Sequence, residues 1–497
     1  MLKDGNPDQI QLDYQMPFSE DLNPNNRWIK LAHLIPWNEF KKIYYDRMDN
    51  KKGRPAKDAR VVIGALIVKH MQGLSDEETI QTIKENPYIQ YFLGYSKFQY
   101  DKPFEPSLFV AIRKRLGLET LNSMNEKFIE KFKELEKSIN QDTEVKDNSK
   151  KKAENEQNKG KIIVDATVIP SDIQYPTDIR LLNKARESTE EMVDILWEYD
   201  DVESRKPRTY RENAREDFLK VEKQKRPRKS KLKKAIKKQL QYLRRDIKHV
   251  EEMQERRDKD DILPDSLKKK FKTIKKLYSQ QKEMYDEDKN RVNDRIVSIH
   301  QPQIRPIVRG KARQKVEFGP KITLSIVDGF SYLDYFSWDN YHEGNELMES
   351  IDKYKRREGY YPEVAIADNI YGTRANRRKL KKRDIRYSGK PLGRPPKKDS
   401  KKYKQRKKRL KRESRERNAI EGKFGEGKRG YNMGLIKTQT AETSETWVGM
   451  NVLVMNIAKA FRKLEQFFIV QIYFDLNTGN IAILIFTNRF EQNHKIN

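Results

Sequence analysis

The chain contains no cysteine, which excludes structural disulfides, cysteine-based zinc sites and thiol catalysis. Histidine is scarce: the six present are scattered, with no two at metal-ligand spacing, so a histidine-rich metal centre is not expected. No run approaches the roughly eighteen apolar residues of a membrane-spanning helix. The first residues, MLKDGNPDQIQ, lack the basic start and apolar stretch of a signal peptide. Together these absences lead us to expect a soluble, intracellular protein without a membrane partner.

What is abundant is positive charge. Lys and Arg number 105 against 75 Asp and Glu, a formal charge of +30. Such an excess repels itself unless a polyanion neutralises it, and nucleic acid is the commonest polyanion. Ribosomes and acidic lipids are the alternatives that composition leaves open. A length of 497 residues calls for two or three domains.

Residues 15 to 140 read as helical. RVVIGALIVKHM (60–71) is apolar almost all round, as a buried helix is, and Gly73 ends it. Ser75 and Glu78 then stand at capping-box spacing. Pro106 and Ser107 open a short helix, and residues 118–139 supply a longer one. Short helices joined by tight turns suit DNA-end binding and structural or dimerising packing equally. Residues 140–160 carry almost no large apolar side chains and read as a linker.

At 161 the pattern changes to KIIVDATVIP, a short β-branched run of buried-strand type. A charged stretch follows to about 295. In it Leu232, Ile236, Leu240, Leu243, Ile247 and Val250 trace one helical stripe, and Leu267, Phe271, Ile274 and Tyr278 trace a second after Pro264. Two amphipathic helices broken at Pro264 predict an antiparallel helical hairpin, a solvated coiled coil whose Lys-rich outer face could hold DNA. Strands resume with KITLSIVDGFSYLDYFSW, where Asp328-Gly329 signals a tight hairpin. A helix and the buried strand VAIA (364–367) come next. The first and fourth strands of this α/β core can lie side by side. The apolar stretch 467–488, turning at Asn477-Thr-Gly, suits a β-hairpin.

Asp165 and Asp368 each end a buried strand run, IIVD and VAIAD. A carboxylate there costs several kcal/mol if buried unpaired, but is tolerated at a cleft where a cation neutralises it. Carboxylates on adjacent strands come within reach of a shared metal pair, and hard divalent ions take oxygen ligands. Acidic residues are abundant here, so it is strand-end placement that singles these two out. A third acid is offered by RERNAIEGKFGEGKRGYNMG (415–434), where Arg417, Glu421 and Lys428 share one helix face at spacings of four and seven. By spacing alone that face is as well an exposed, ion-paired surface. Its position after a basic run and downstream of both aspartates points to Glu421. The glycines at 422, 425 and 427 either thin the helix face for a DNA backbone or end the helix near Glu421.

The segments IIVDATVIPSDIQYPTD, VRGKA (308–312), VEFGPKITLSIVDGF, ADNIYGTRANR and RNAIEGKFGEGKRGYNMGLI together resemble bacterial insertion-sequence transposases. The resemblance is to the DDE type with a ribonuclease-H-like core and a tyrosine-arginine-glutamate-lysine signature, and it spans roughly residues 15 to 460. It implies that Asp165, Asp368 and Glu421 are catalytic and bind two Mg²⁺ ions, with Mn²⁺ able to substitute. It implies that Arg417 and Lys428, and Arg309 and Lys311 in the VRGKA segment, contact DNA. The signature tyrosine is replaced by Ser414, which removes a residue that would hold a flipped base.

The fold implied is α/β: a ribonuclease-H-like mixed-sheet core with an N-terminal all-helical domain and a charged helical insertion. Residues 1–140 are expected to bind DNA ends or dimerise, 141–160 to link, 161–180 with 296–465 to form the catalytic core, 181–295 to insert as a helical hairpin, and 466–497 to form a tail of open role. The basic segment 389–412 is read as a loop that clamps phosphates or is simply solvated. The expected function is transposition in the bacterial cytoplasm, associated with the nucleoid. A homodimer would act on double-stranded DNA, both inverted-repeat ends and target. The alternatives are a nuclease or resolvase of the same fold, and a non-catalytic DNA-binding protein.

Overall fold

The computed structural model describes residues 22–46, 56–143, 158–199, 205–256, 262–308, 316–390, 392–393 and 401–478. Six helices come first: α1 (Arg27–Leu34), α2 (Trp37–Tyr45), α3 (Ala59–Gln72), α4 (Asp76–Glu85), α5 (Pro87–Phe92) and α6 (Leu108–Thr143). Helix α3, apolar all round in sequence, is buried along most of its length and stops at Gly73, whose φ of 75° only glycine adopts freely. The capping box is formed: Glu78 N–H donates to Ser75 Oγ at 3.1 Å, and Ser75 N–H donates to Glu78 Oε2 at 2.7 Å. The two helices expected after Pro106 follow one another across Gly117 (φ 65°) to make α6. Helix continues to Thr143, into the first residues of the expected linker; residues 144–157 lie outside the described ones.

Strand β1 (Lys161–Val168) leads into four helices: α7 (Asp178–Glu198), α8 (Arg211–Glu222), α9 (Lys229–Glu255) and α10 (Asp265–Asp286). Both expected stripes point inward, with Leu240, Leu243, Ile247 and Val250 of α9 meeting Phe271 and Ile274 of α10. The two-helix hairpin must nevertheless be corrected to a four-helix unit. Leu181, Leu182, Ala185, Met192, Val193 and Leu196 of α7 complete the same core, and α8 packs on α9. The stripe on α7 is hard to see because buried polar residues interrupt it; Arg186 and Glu190 form an ion pair inside.

Next come β2 (Pro306–Val308) and β3 (Val316–Phe318), paired only with each other, then β4 (Lys321–Val327), β5 (Phe330–Ser337), α11 (Glu343–Glu358), β6 (Val364–Ala367), α12 (Arg374–Lys382), β7 (Arg386–Ser388) and α13 (Lys401–Gly430). The main sheet has the order β5-β4-β1-β6-β7. Asp328 (φ 51°) and Gly329 (φ 77°) make the tight turn between β4 and β5 that the sequence announces. β1 is antiparallel to β4 and parallel to β6, so the first and fourth strands of the core are indeed neighbours. Ile162, Val164, Ala365 and Ala367 face Leu347, Ile351 and Tyr354 of α11. Ile163, Leu324 and Ile326 face Ile420 and Phe424 of α13 on the other side. The sheet is therefore covered on both faces, as a mixed α/β layer requires.

Helix α14 (Ala441–Thr478) lies along α6 and reaches both α3 and β5. Asn456 Nδ2 donates to Asn125 Oδ1 and to Ser331 O, each at 2.7 Å, and Ser331 N–H donates to Asn456 Oδ1 at 2.9 Å. This buried amide set ties helix, sheet and N-terminal block together. The expected hairpin at 467–488 is corrected: residues 467–478 continue α14, and the rest lies outside the described residues. The run FFIVQIYF does not alternate, and it follows an established helix without a break.

Within the four-helix unit Asp246 is fully enclosed, and both carboxylate oxygens lack a hydrogen-bond partner. Burial, reinforced by the Glu190 charge and opposed by Arg186, Arg245 and Arg211, pushes its pKa from 3.8 up to about 8. The native state thus keeps a proton that the unfolded chain releases. The stability this confers is complete below pH 3.8 and is lost as pH rises toward 8, at up to ~1.4 kcal/mol per pH unit. We expect Asp246→Asn to flatten that slope and raise stability at pH 8, measured by urea denaturation across the pH range; an unchanged slope would refute it.

Candidate active site

The parallel pairing of β1 and β6 matches Ile163 with Ile366 and Val164 with Ala367. One step further the register sets Asp165 beside Asp368. Because alternate strand residues share a face, both carboxylates emerge on the side that carries α13. Asp165 does not end its strand, as the sequence had implied. β1 continues to Val168, since Ala166, Thr167 and Val168 still pair with β4. It is β6 that stops, at Ala367, leaving Asp165 next to an opening in the sheet. Asp368 begins a 3-10 turn (Asn369–Tyr371) and accepts the Asn369 N–H at 2.6 Å.

Helix α13 lies over this opening and is fixed at both ends. Glu413 is buried and paired with Arg386 of β7, and Glu416 lies 3.0 Å from Lys161 at the start of β1. At the other end Lys428 Nζ donates to Val168 O at 3.1 Å and to Thr167 Oγ1 at 3.3 Å. From Glu416 to Lys428 the helix advances ~18 Å at 1.5 Å per residue, close to the ~23 Å that β1 spans. The helix therefore runs alongside β1 in the same direction. It does not end at Glu421: it continues to Gly430, and a Cβ on Gly427 would come within 2.8 Å of both Met433 Sδ and Met455 Sδ. Gly427 thus serves packing, while Gly422 faces open space. The basic run read as a loop is also corrected, because from Lys401 onward it is α13. Lys and Arg are good helix formers, and Arg412–Glu416 at 3.6 Å adds an i,i+4 pair. Ser414 is exposed.

Arg417 joins the acids. Its Nη1 is 3.0 Å from Asp368 Oδ1 and its Nη2 is 3.9 Å from Glu421 Oε1. The side chains of Asp368 and Glu421 are 53% and 60% exposed, whereas Asp165 is half-buried. Asp165 accepts from Ala166 N–H at 2.8 Å. Burial first of all, with the charges of Glu343 and Asp368 adding and Ala166 N–H and Arg417 opposing, raises its pKa from 3.8 to about 6. The donor set suits a divalent cation: hard oxygens on one face of the sheet, with one carboxylate insufficiently compensated. The positions are not yet those of a cage, for no three His, Asp or Glu side chains among the described residues could hold a metal ion. The positive charge between Asp368 and Glu421 is Arg417 itself.

Arg309 and Lys311 lie outside the described residues. Two groups beside the site were not singled out from the sequence. Tyr387 OH donates to Asp368 O, and Glu343 at the first turn of α11 acts on Asp165. An acidic residue opening the helix between the hairpin and the VAIA strand was the available signal for Glu343. No helix among the described residues is long and apolar enough to cross a membrane.

Residues 365–458 match the model of a transposase DDE domain, and residues 17–115 match that of a transposase domain (DUF772). Over 164 residues the chain is 32% identical to the uncharacterised protein ORF8 in the nfe locus of Rhizobium meliloti, covering 33% of this chain and 71% of that protein. The chain belongs to a transposase family. The first match contains Asp368, Arg417, Glu421 and Lys428, and the second falls on the N-terminal helices; Asp165 lies in neither. No solved structure matches the chain.

The raised pKa of Asp165 carries a stability consequence. Stability is complete below pH 3.8 and falls as pH rises through about 6, where the half-buried carboxylate must ionise. In EDTA at pH 7.5, Asp165→Asn should therefore be more stable than the native chain by ~1–3 kcal/mol, and equal to it near pH 4. Urea titrations at the two pH values decide, and a less stable variant at pH 7.5 would rule out a buried-charge penalty.

Proposed function

We propose that the chain is the DNA transposase of a bacterial insertion sequence, a DDE-type enzyme on a ribonuclease-H-like core. The observation that carries this reading is the parallel register of β1 and β6, which sets Asp165 beside Asp368 under a helix bearing Glu421, Arg417 and Lys428. A five-stranded sheet with its first strand central, two antiparallel neighbours on one side and two parallel ones on the other, supports the core assignment. Asp165, Asp368 and Glu421 would hold two Mg²⁺ ions, replaceable by Mn²⁺. When bound, such a pair activates the attacking oxygen and stabilises the leaving oxygen in an in-line displacement at phosphorus.

The chain's own groups would bind and align DNA. Arg417 presents a planar fork suited to a phosphate, and engaging one would free Asp368 and Glu421. Lys428 adds a point charge at the end of β1. Exposed Lys404, Lys407, Lys408, Arg409, Lys411 and Arg412 extend that surface along α13, and Lys234, Lys237, Lys272 and Lys276 form another on the helical insertion. Arg309 and Lys311 are proposed to contact DNA as well. The N-terminal helices would bind inverted-repeat ends or join two copies on DNA, in the cytoplasm at the nucleoid. Hydrolysis frees a 3′ hydroxyl, which then attacks target DNA.

With Mg²⁺, purified protein is expected to join a pre-cut end of its own element to target DNA. Asp165→Asn should bind the same ends while cutting and joining fall by ~10³-fold or more. Cutting without joining would instead mark a nuclease or resolvase. End binding with neither reaction would mark a non-catalytic DNA-binding protein.

A further inference from the structure

Glu343 opens α11, and its carboxylate is held 2.9 Å from Lys321 Nζ with only 17% of the side chain exposed. The first turn of α11 abuts the 3-10 turn that follows Asp368: a Cβ on Gly344 would stand 2.8 Å from Ile370 O. Asn376 fastens the two, its Nδ2 donating to Gly344 O and, at 2.9 Å, to Tyr371 O. Glu343 is thus fixed beside the aspartates from the side opposite α13. Its charge acts on Asp165 more strongly than that of Asp368 does.

A second observation points into the same space. Tyr371 is fully buried, yet its hydroxyl has no hydrogen-bond partner. The charged groups that bear on that hydroxyl are Glu343, then Asp165, with Tyr341 and Asp368 after them. Leaving a buried hydroxyl unsatisfied costs on the order of 1–3 kcal/mol. Phenylalanine would fill the position without that cost. Tyr341, by contrast, is satisfied by Thr323 Oγ1 at 2.7 Å. The free hydroxyl lies where a carboxylate or a cation-bound water would meet it once the acids draw together.

We propose that Glu343 is a fourth carboxylate of the site, sharing a divalent cation with Asp165, and that the Tyr371 hydroxyl hydrogen-bonds the resulting assembly. This rests on the two-metal reading above and extends it. In the metal-free state Lys321 neutralises Glu343, and cation binding takes the carboxylate over from it. Glu343 is a ligand in this arrangement, and Tyr371 is a positioning residue.

The test is Mn²⁺ binding to the full-length chain without DNA, read from the electron paramagnetic resonance signal of free Mn²⁺. Asp165→Asn should remove the tight site, Glu343→Gln should weaken it about tenfold or more, and Tyr371→Phe should weaken it several-fold. Lys321→Met keeps the carboxylate but breaks its ion pair, and should bind Mn²⁺ at least as tightly as the native chain. Thermal unfolding of each variant confirms that it is folded. Native affinity in Glu343→Gln overturns the proposal. So does a loss in Lys321→Met equal to that in Glu343→Gln, because Glu343 would then be only a strut. If Asp165→Asn binds Mn²⁺ as the native chain does, the two-metal reading itself fails and takes this one with it.

Discussion

A carboxylate on the central strand of a covered sheet has to be answered by positive charge, and much of the site is arranged around that demand. Asp165 is half-buried, flanked by apolar strand residues and opposed by two further acids. Nothing in its own strand stabilises it beyond one backbone N–H. Arg417 supplies partial compensation through Asp368 and Glu421, from a helix that is itself tied down by ion pairs at Glu413 and Glu416 and by Lys428. A site of this kind stores an unmet electrostatic requirement in the free protein. That requirement is available to whatever cation or phosphate arrives.

The two kinds of charge are handled differently. The surplus of Lys and Arg is kept on the outer faces of α9, α10 and α13, where water solvates it and where it can track a polyanion. The few buried charges are paired, as Arg186 with Glu190 and Arg386 with Glu413, or protonated, as with Asp246. A chain of this composition folds because its hydrophobic residues are concentrated in short strands and in narrow helical stripes.

Most of the architecture could be read from periodicity. Apolar α3, the Ser75 capping box, the Asp328-Gly329 turn and the adjacency of the first and fourth strands all declare themselves in local sequence. What was hidden depended on partners far away in the chain. The stripe on α7 is broken by polar residues that find each other only inside the bundle. The strand at β1 outlasts Asp165 because β4, some 160 residues later, continues to pair with it. The helix at 401–412 lacks an apolar face to announce it, and 467–478 belongs to a helix whose period is clear only from its earlier turns. At the site, the strand-end aspartates were visible and Glu343 was not, because a single acidic residue at a helix start usually serves the helix dipole alone.

The lengthwise contact of α6 with α14 joins the two ends of the chain. Asn125, translated early, meets Asn456, translated more than three hundred residues later. The inner surface of the N-terminal helices therefore stays open while the ribosome works through everything between them. Each molecule completes its core only when its last helix is released, and until then the segments that first leave the ribosome are held apart from the partner that closes them.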